Sequence, residues 1–193
     1  MKRIHLYSAW MRSIFNSSAF IKISRYSFLL GLLFSLNASV IADEDLAQTS
    51  ELAPLQFSNI SIGNEIIGIQ QGESNSLSGI QNGSLNQAQA IQQGLGNKAE
   101  LIQLGNNNLA LSTQYGEHNI SSLLQEGIEN SILLSQVGYD NNAQIMQTGE
   151  SNNAQVYQNG FSNNVVIQQN GNGLNSIVTQ TGDNNTTTVK QYN

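Results

Sequence analysis

Glutamine recurs at every eleventh position over most of the chain, and the spacing holds twelve times in succession. These glutamines are Gln70, Gln81, Gln92, Gln103, Gln114, Gln125, Gln136, Gln147, Gln158, Gln169, Gln180 and Gln191. Two residues after each of the first eleven stands a glycine, at Gly72, Gly83, Gly94, Gly105, Gly116, Gly127, Gly138, Gly149, Gly160, Gly171 and Gly182. Three residues further on stands an asparagine, interrupted by Leu174, at Asn75, Asn86, Asn97, Asn108, Asn119, Asn130, Asn141, Asn152, Asn163 and Asn185. A strict internal period of this kind indicates a repeat architecture.

The period does not fit a helix, although eleven residues are also typical of a right-handed helical supercoil. Eleven glycines inside such helices, at about 1 kcal/mol each, would cost on the order of 10 kcal/mol, which equals the whole stability of a domain. The fixed residues instead alternate, as in Asn86, Ala88, Ala90 and Gln92. Alternation is the period of a β-strand. The pattern predicts strands about five residues long, with Gly and Asn supplying the positive-φ conformations of the turns.

Two strand-turn units would complete one coil of 22 residues, so the predicted fold is all-β, a two-sheet parallel β-solenoid that forms amyloid. Strands two units apart would stack in register at about 4.7–4.9 Å, and equivalent side chains would form columns. The inward columns are expected to be Leu101, Leu123, Ile145, Ile167 and Val189 in one sheet, and Ala90, Ser112, Leu134, Val156 and Val178 in the other. The Gln and Asn columns should be hydrogen-bonded ladders, because a buried amide is costly unless it is paired.

One outward column is apolar over four coils and consists of Ile80, Ile102, Leu124 and Met146. We interpret it as a lateral contact between filaments, because a contiguous exposed apolar stripe can mark an interaction surface. Ordinary surface apolar residues are an equally good interpretation. The sequence shows no polar cap after Gln191, so we also expect end-to-end growth by strand addition.

The N-terminal part differs in charge from the rest of the chain. Five of the seven basic residues lie in the first 25 positions, whereas every acidic residue lies at or beyond Asp43. The basic stretch leads into an apolar segment that ends in small residues, with Val40 and Ala42 at a cleavage-site pattern. We predict a secretory signal over residues 1–42, whether translation starts at Met1 or Met11. A membrane anchor is disfavoured, because the apolar part is shorter than the roughly 20 residues of a spanning helix.

Charge and residue types exclude several functions. Residues 43–193 carry thirteen acidic residues against Lys98 and Lys190, a formal charge of −11. Such a chain is repelled by phosphate backbones, so nucleic acid is not an expected partner. It contains no cysteine and one histidine, His118. These residues do not supply a nucleophile with its base or a metal-ligand set, so we predict no enzyme, no cofactor, no metal site and no small-molecule substrate.

The repeat resembles the curlin repeats of bacterial curli fibres over roughly residues 60 to 193. The motif Gln-x-Gly-x-x-Asn-x-Ala-x-x-x-Gln of that family is complete in Gln81, Gly83, Asn86, Ala88 and Gln92. The resemblance implies Sec export, passage through an outer-membrane pore with accessory factors, and polymerisation with other curli subunits. The product would be an extracellular amyloid fibre on the bacterial surface, used in adhesion and biofilm matrix.

Features that distinguish subunits within this family point in two directions. The uninterrupted spacing and Asp45-Leu46-Ala47 resemble the minor, nucleating curlin, whereas the closing Gln191-Tyr192 resembles the major one. The resemblance also implies that a flexible segment over 43–63 directs export and that the solenoid occupies 64–193. A monomeric exported β-solenoid that acts as an adhesin or binding module is the alternative to a fibre subunit.

Overall fold

The computed structural model describes residues 37–42, 56–60 and 63–193, and the elements in these ranges are β-strands. They are β1 (Asn37–Ala42), β2 (Gln56–Ile60), β3 (Glu65–Glu73), β4 (Ser76–Ser84), β5 (Gln87–Leu95), β6 (Lys98–Asn106), β7 (Leu109–Glu117), β8 (Ile120–Ile128), β9 (Ser131–Tyr139), β10 (Asn142–Glu150), β11 (Asn153–Phe161), β12 (Asn164–Asn172), β13 (Asn175–Thr181) and β14 (Thr186–Tyr192). The odd-numbered strands form one seven-stranded parallel sheet, sheet A, and the even-numbered strands form sheet B. The predicted two-sheet parallel solenoid with 22-residue coils is confirmed.

From β3 to β14 the register is uniform around the whole coil. Gln92, for example, lies between Gln70 and Gln114, so neighbours in a sheet are 22 residues apart in sequence. Backbone bonding continues through the corners, where Gly96 N–H donates to Glu73 O at 2.9 Å. Each coil is therefore hydrogen-bonded to the next along nearly its entire path. This pairs the backbone N–H and C=O groups, which would be costly to bury unpaired.

The core is the seam between the two sheets. The predicted inward columns are buried there, apart from the partly buried Val189, with Leu101, Leu123, Ile145 and Ile167 in sheet B and Ala90, Ser112, Leu134, Val156 and Val178 in sheet A. A buried Leu or Ile contributes about 1.5–3 kcal/mol relative to an exposed one. The hydroxyls of Ser112 and Ser121 are 3.2 Å apart across the seam, so this polar interruption is paired.

The strands are longer than the five residues expected from the sequence, and that expectation was wrong. Strands β3 to β12 each span nine residues and continue through the repeat glycine. Gly72, for example, has a φ of +105° and still pairs with Gly94 in the neighbouring strand. Because every coil bends at the equivalent glycine, the strands bend together and their pairing is not interrupted.

Gly and Asn were expected to supply the positive φ of the turns, and this holds for the repeat glycines, Asn107 and Asn184 but not for the ladder asparagines. The residue before the asparagine adopts the left-handed conformation instead, as Leu85 does with φ of 58° and His118 with φ of 54°. The ladder asparagine keeps an ordinary φ, which directs its amide inward to the stack of coils. Left-handed backbone costs a non-glycine residue roughly 1–2 kcal/mol, and the inter-coil hydrogen bonds of the corner offset this cost.

The predicted domain boundaries stay predictions. Strand β1 comprises the last six residues of the predicted signal, and β2 lies in the segment predicted to be flexible. Most of both segments, residues 1–36, 43–55 and 61–62, lies outside the described residues. In the part of the chain that the structure describes, no helix is long and apolar enough to cross a membrane.

The repeat glycines are required by contact between coils as well as by φ. A Cβ added to Gly105, at φ +118°, would overlap the carbonyl oxygen of Gly127 in the next coil. We expect Gly105→Ala to lower the free energy of unfolding by at least 2 kcal/mol, through backbone strain and separation of the coils. The midpoint of guanidinium unfolding measures this change.

Gly173→Ala is the matched control for that variant. Gly173 also has a positive φ, of +66°, but an added Cβ would meet nothing within 4 Å. We expect a loss of about 1 kcal/mol, which is the conformational cost alone. Equal losses for the two variants would contradict a contact requirement at the glycine column.

Candidate functional site

The twelve repeat glutamines form two continuous columns, one in each sheet. The side-chain Nε2 of each of the first ten donates to Oε1 of the glutamine 22 residues later, as Gln70 does to Gln92 at 2.6 Å and Gln136 does to Gln158 at 2.9 Å. All twelve are buried except Gln191, which is half-buried. The arrangement is a pair of amide ladders that run parallel to the solenoid axis.

The second N–H of each ladder amide joins the two sheets. From Gln81 onward, Nε2 also donates to a backbone oxygen 16 residues earlier, at the start of a strand in the opposite sheet. Gln136 Nε2, for example, donates to Ile120 O at 3.0 Å. One side chain therefore holds the coil to its neighbour and sheet A to sheet B. This explains how an amide can occupy a core position without being left unpaired.

The repeat asparagines form further ladders at the corners, with the opposite polarity. Asn97 accepts at Oδ1 from the backbone N–H and Nδ2 of Asn119, at 3.1 and 3.0 Å. Its own Nδ2 donates to Gly116 O at 2.8 Å. The asparagine thus binds the same glycine carbonyl that crowds the glycine of the preceding coil. In the bonds between like side chains, Gln therefore donates to the later coil, whereas Asn donates to the earlier one.

The asparagine ladder contains one member that the sequence analysis missed, Asn64, and the interruption that it predicted, Leu174. Asn64 is buried and is the first member, since Asn86 N–H donates to its Oδ1 at 3.0 Å. Its position eleven residues before Asn75 was the signal that could have found it. Leu174 replaces an amide, yet its backbone N–H still donates to Asn152 Oδ1 at 2.9 Å. The backbone half of the ladder therefore persists where the side chain is lost.

The first glutamine of each ladder has an unused acceptor. Gln70 Oε1 and Gln81 Oε1 are buried and lack a hydrogen-bond partner among the described residues. At the other end, Gln180 and Gln191 are the last ladder members. Gln180 Nε2 donates to Asn164 O and Thr187 Oγ1, and Gln191 Nε2 donates to Asn175 O. In the glutamine ladders of the described solenoid, one end thus presents amide oxygens and the other presents amide nitrogens.

The predicted lateral stripe is a single column on the outer face of sheet B. Ile80, Ile102, Leu124 and Met146 pair successively in register. Ile80 is 41% exposed and Met146 38% exposed, and the two residues between them are half-buried. Contacts along the column cover part of this apolar surface, and the remainder faces outward.

The described residues contain no group of three or more His, Cys, Asp or Glu side chains that could hold a metal ion. His118 is exposed at a corner, where its ring lies over Gly96. The chemistry available along the ladders is hydrogen bonding between amides, which suits association between equivalent strands.

The geometry defines a class of protein, a parallel β-solenoid whose coils are joined by buried amide ladders. The family model of the curlin associated repeat matches residues 97–138 and 162–192. These two stretches carry the curlin associated repeat, which supports the resemblance to the curlin repeat family that the motif predicted. Searches of curated proteins and of solved structures found no match to this chain.

The ladder can be tested with one substitution in the middle of sheet A. Gln136→Leu keeps the approximate size of the side chain and removes three hydrogen bonds, to Gln114, Gln158 and Ile120 O. Gln158 Oε1 then loses its donor inside the core. We expect a loss of about 1–3 kcal/mol in the free energy of unfolding from that orphaned acceptor alone, measured by guanidinium titration.

Gln144→Leu is the matched control, because Gln144 lies on the outer face of sheet B and is exposed. We expect it to change stability by less than about 0.5 kcal/mol. Similar losses for the inward and outward variants would show that the ladder bonds do not contribute as described.

Proposed function

We propose that this chain is a structural subunit of an extracellular curli-type amyloid fibre. Proteins of the curlin repeat family are structural amyloid subunits of cell-surface fibres and are not enzymes. The β-solenoid fits this role. The observation that carries the proposal is the polarity of the two glutamine ladders, since it makes the two ends of the solenoid complementary.

The complementary ends support head-to-tail assembly. Nε2 of Gln191 in one copy can donate to the unpaired Oε1 of Gln81 in the next, which repeats a bond found inside the chain. Nε2 of Gln180 can do the same for Gln70 by exchanging its bond to Thr187 Oγ1. Among the described strands, β13 and β14 are each paired on one side only, so their backbone groups can add a further strand. A heterologous contact of this kind does not close on itself and generates a filament.

Growth at the other end requires the edges of β3 and β4. Strand β1 lies against β3, and cleavage after Ala42, as predicted, would remove it. Strand β2 pairs only five residues with β4, so a seven-residue strand from an incoming copy would displace it at little cost.

The finer parts of the proposal follow from the family resemblance. The role is that of a minor, nucleator-like subunit that co-polymerises with a major subunit after export through an outer-membrane pore with accessory factors. The fibre would serve adhesion and the biofilm matrix. The uninterrupted eleven-residue spacing, which resembles that of the minor curlin, supports the minor role.

Assembly itself is the first prediction of this proposal. The purified chain from Asp43 to Asn193 should form filaments that bind thioflavin and sediment, because each added copy completes two ladders. Thioflavin fluorescence and sedimentation measure the process. A chain that stays monomeric for days would contradict the proposal and favour a solenoid adhesin. Filaments that also seed a major subunit unable to assemble alone would identify the nucleator role.

The sheet B stripe provides a second contact, at right angles to the filament axis. We expect Ile102→Lys combined with Leu124→Lys to leave elongation unchanged, because both side chains face away from the ladders, and to prevent bundles of three or more filaments. Thioflavin kinetics report elongation and electron micrographs report bundling. Bundles that persist in the double variant would show that the stripe is incidental.

A further inference from the structure

The outer face of sheet A carries no charge over five consecutive strands. The face consists of the first, third, fifth and seventh residues of β5, β7, β9, β11 and β13, four positions on each of five strands, and we call these twenty positions the charge-free face. Each is an uncharged polar, aliphatic or tyrosine side chain that is exposed or half-buried. The equivalent positions of sheet B include Lys98, Glu100, Glu126 and Lys190.

Exposed apolar side chains lie on three neighbouring strands of the charge-free face, β9, β11 and β13. Leu133, Tyr157 and Ile177 are 45%, 41% and 67% exposed. Together with Ser135, Gln155 and Thr179 they line a shallow groove of about 210 Å³. Exposed apolar side chains with amide and hydroxyl groups beside them are a composition that suits a protein contact surface.

The distribution of charge favours a second copy of this chain as the occupant. Residues 43–193 carry a formal charge of −11, so two copies repel each other over most orientations. Repulsion between like charges falls with their separation, and it is smallest when the faces without charge meet. The sheet B stripe lacks this property, since Glu100 and Glu126 lie beside Ile102 and Leu124.

The size of the charge-free face suits a contact that is repeated. Five strands at about 4.8 Å and seven residues at about 3.3 Å cover about 550 Å² per copy, or about 1,100 Å² for two copies. That area is close to the minimum of about 1,000 Å² for a specific interface. Head-to-tail stacking would continue the face along a filament, so many weak contacts would act together.

We propose that the charge-free face is a homotypic contact through which two filaments of this chain pair. The inference rests on the proposed function, because it needs the filament to repeat the contact. A two-fold contact joins each face to its own copy and is complete with two filaments. Bundles of three or more then need the sheet B stripe as a second surface.

The test compares two double variants with the same change in charge and in apolar content. Leu133→Lys with Tyr157→Lys changes the charge-free face, and Ile102→Lys with Leu124→Lys changes the stripe. Thioflavin fluorescence measures elongation, and electron microscopy with mass-per-length determination counts filaments. We expect both variants to elongate at the wild-type rate. The variant of the charge-free face should form single filaments, with half the mass per length of a pair. The variant of the stripe should remain paired.

Several results would overturn the inference. Pairs that persist in Leu133→Lys with Tyr157→Lys, or single filaments in the wild type, would do so while leaving the proposed function intact. A wild-type chain that forms no filaments would overturn both. If the Leu133→Lys with Tyr157→Lys variant still pairs but no longer co-sediments with insoluble cellulose, the face binds an uncharged polysaccharide instead. If the lysine variant does not elongate, Leu133→Thr with Tyr157→Thr keeps β propensity, and the same loss of pairing is expected.

Discussion

The bond between buried amides 22 residues apart is the interaction on which the rest of the structure depends. A glutamine in a thin apolar seam is tolerated only if both its donors and its acceptor are used, and Gln136 meets this condition through the coil on each side and Ile120 O. A slip of one residue would turn every inward side chain outward. The amides therefore fix the length of each repeat, which is why insertions are absent between Gln70 and Gln191.

The corners depend on the same register. A repeat glycine approaches the carbonyl of the glycine one coil later, and that carbonyl also accepts a bond from a ladder asparagine, as Gly105 O does from Asn86. A residue such as Leu85 then follows in left-handed backbone, which its side chain disfavours. Neither feature is stable in an isolated turn. Both are stable here because the equivalent corner of the next coil supplies the bonding partners.

The alternation of residues predicted most of the fold but not the conformation of the corners. Inward columns such as Leu101 to Ile167 follow from the alternation alone, because successive side chains of a strand point to opposite faces of the sheet. The left-handed residue did not follow, because Leu85 and Glu129 have no intrinsic preference for positive φ. The polarity of the ladders also required atomic positions, since a glutamine in sequence does not show which coil receives its donor.

The alternation of inward and outward side chains also separates two kinds of proposed association, one along the filament axis and one between filaments. In the proposed filament, inward residues such as Gln136 determine how a copy adds along the axis, and the side chain of the adjacent outward Val137 has no part in the amide ladder. Outward residues can therefore change between coils without loss of the ladder, as the difference in charge between the two sheet faces shows. On the proposed function, filament growth depends on strict identity at the amide positions, whereas lateral association depends on which outer positions carry no charge. A single chain of this kind can thus keep its elongation chemistry constant while its outer faces determine what lies beside the filament.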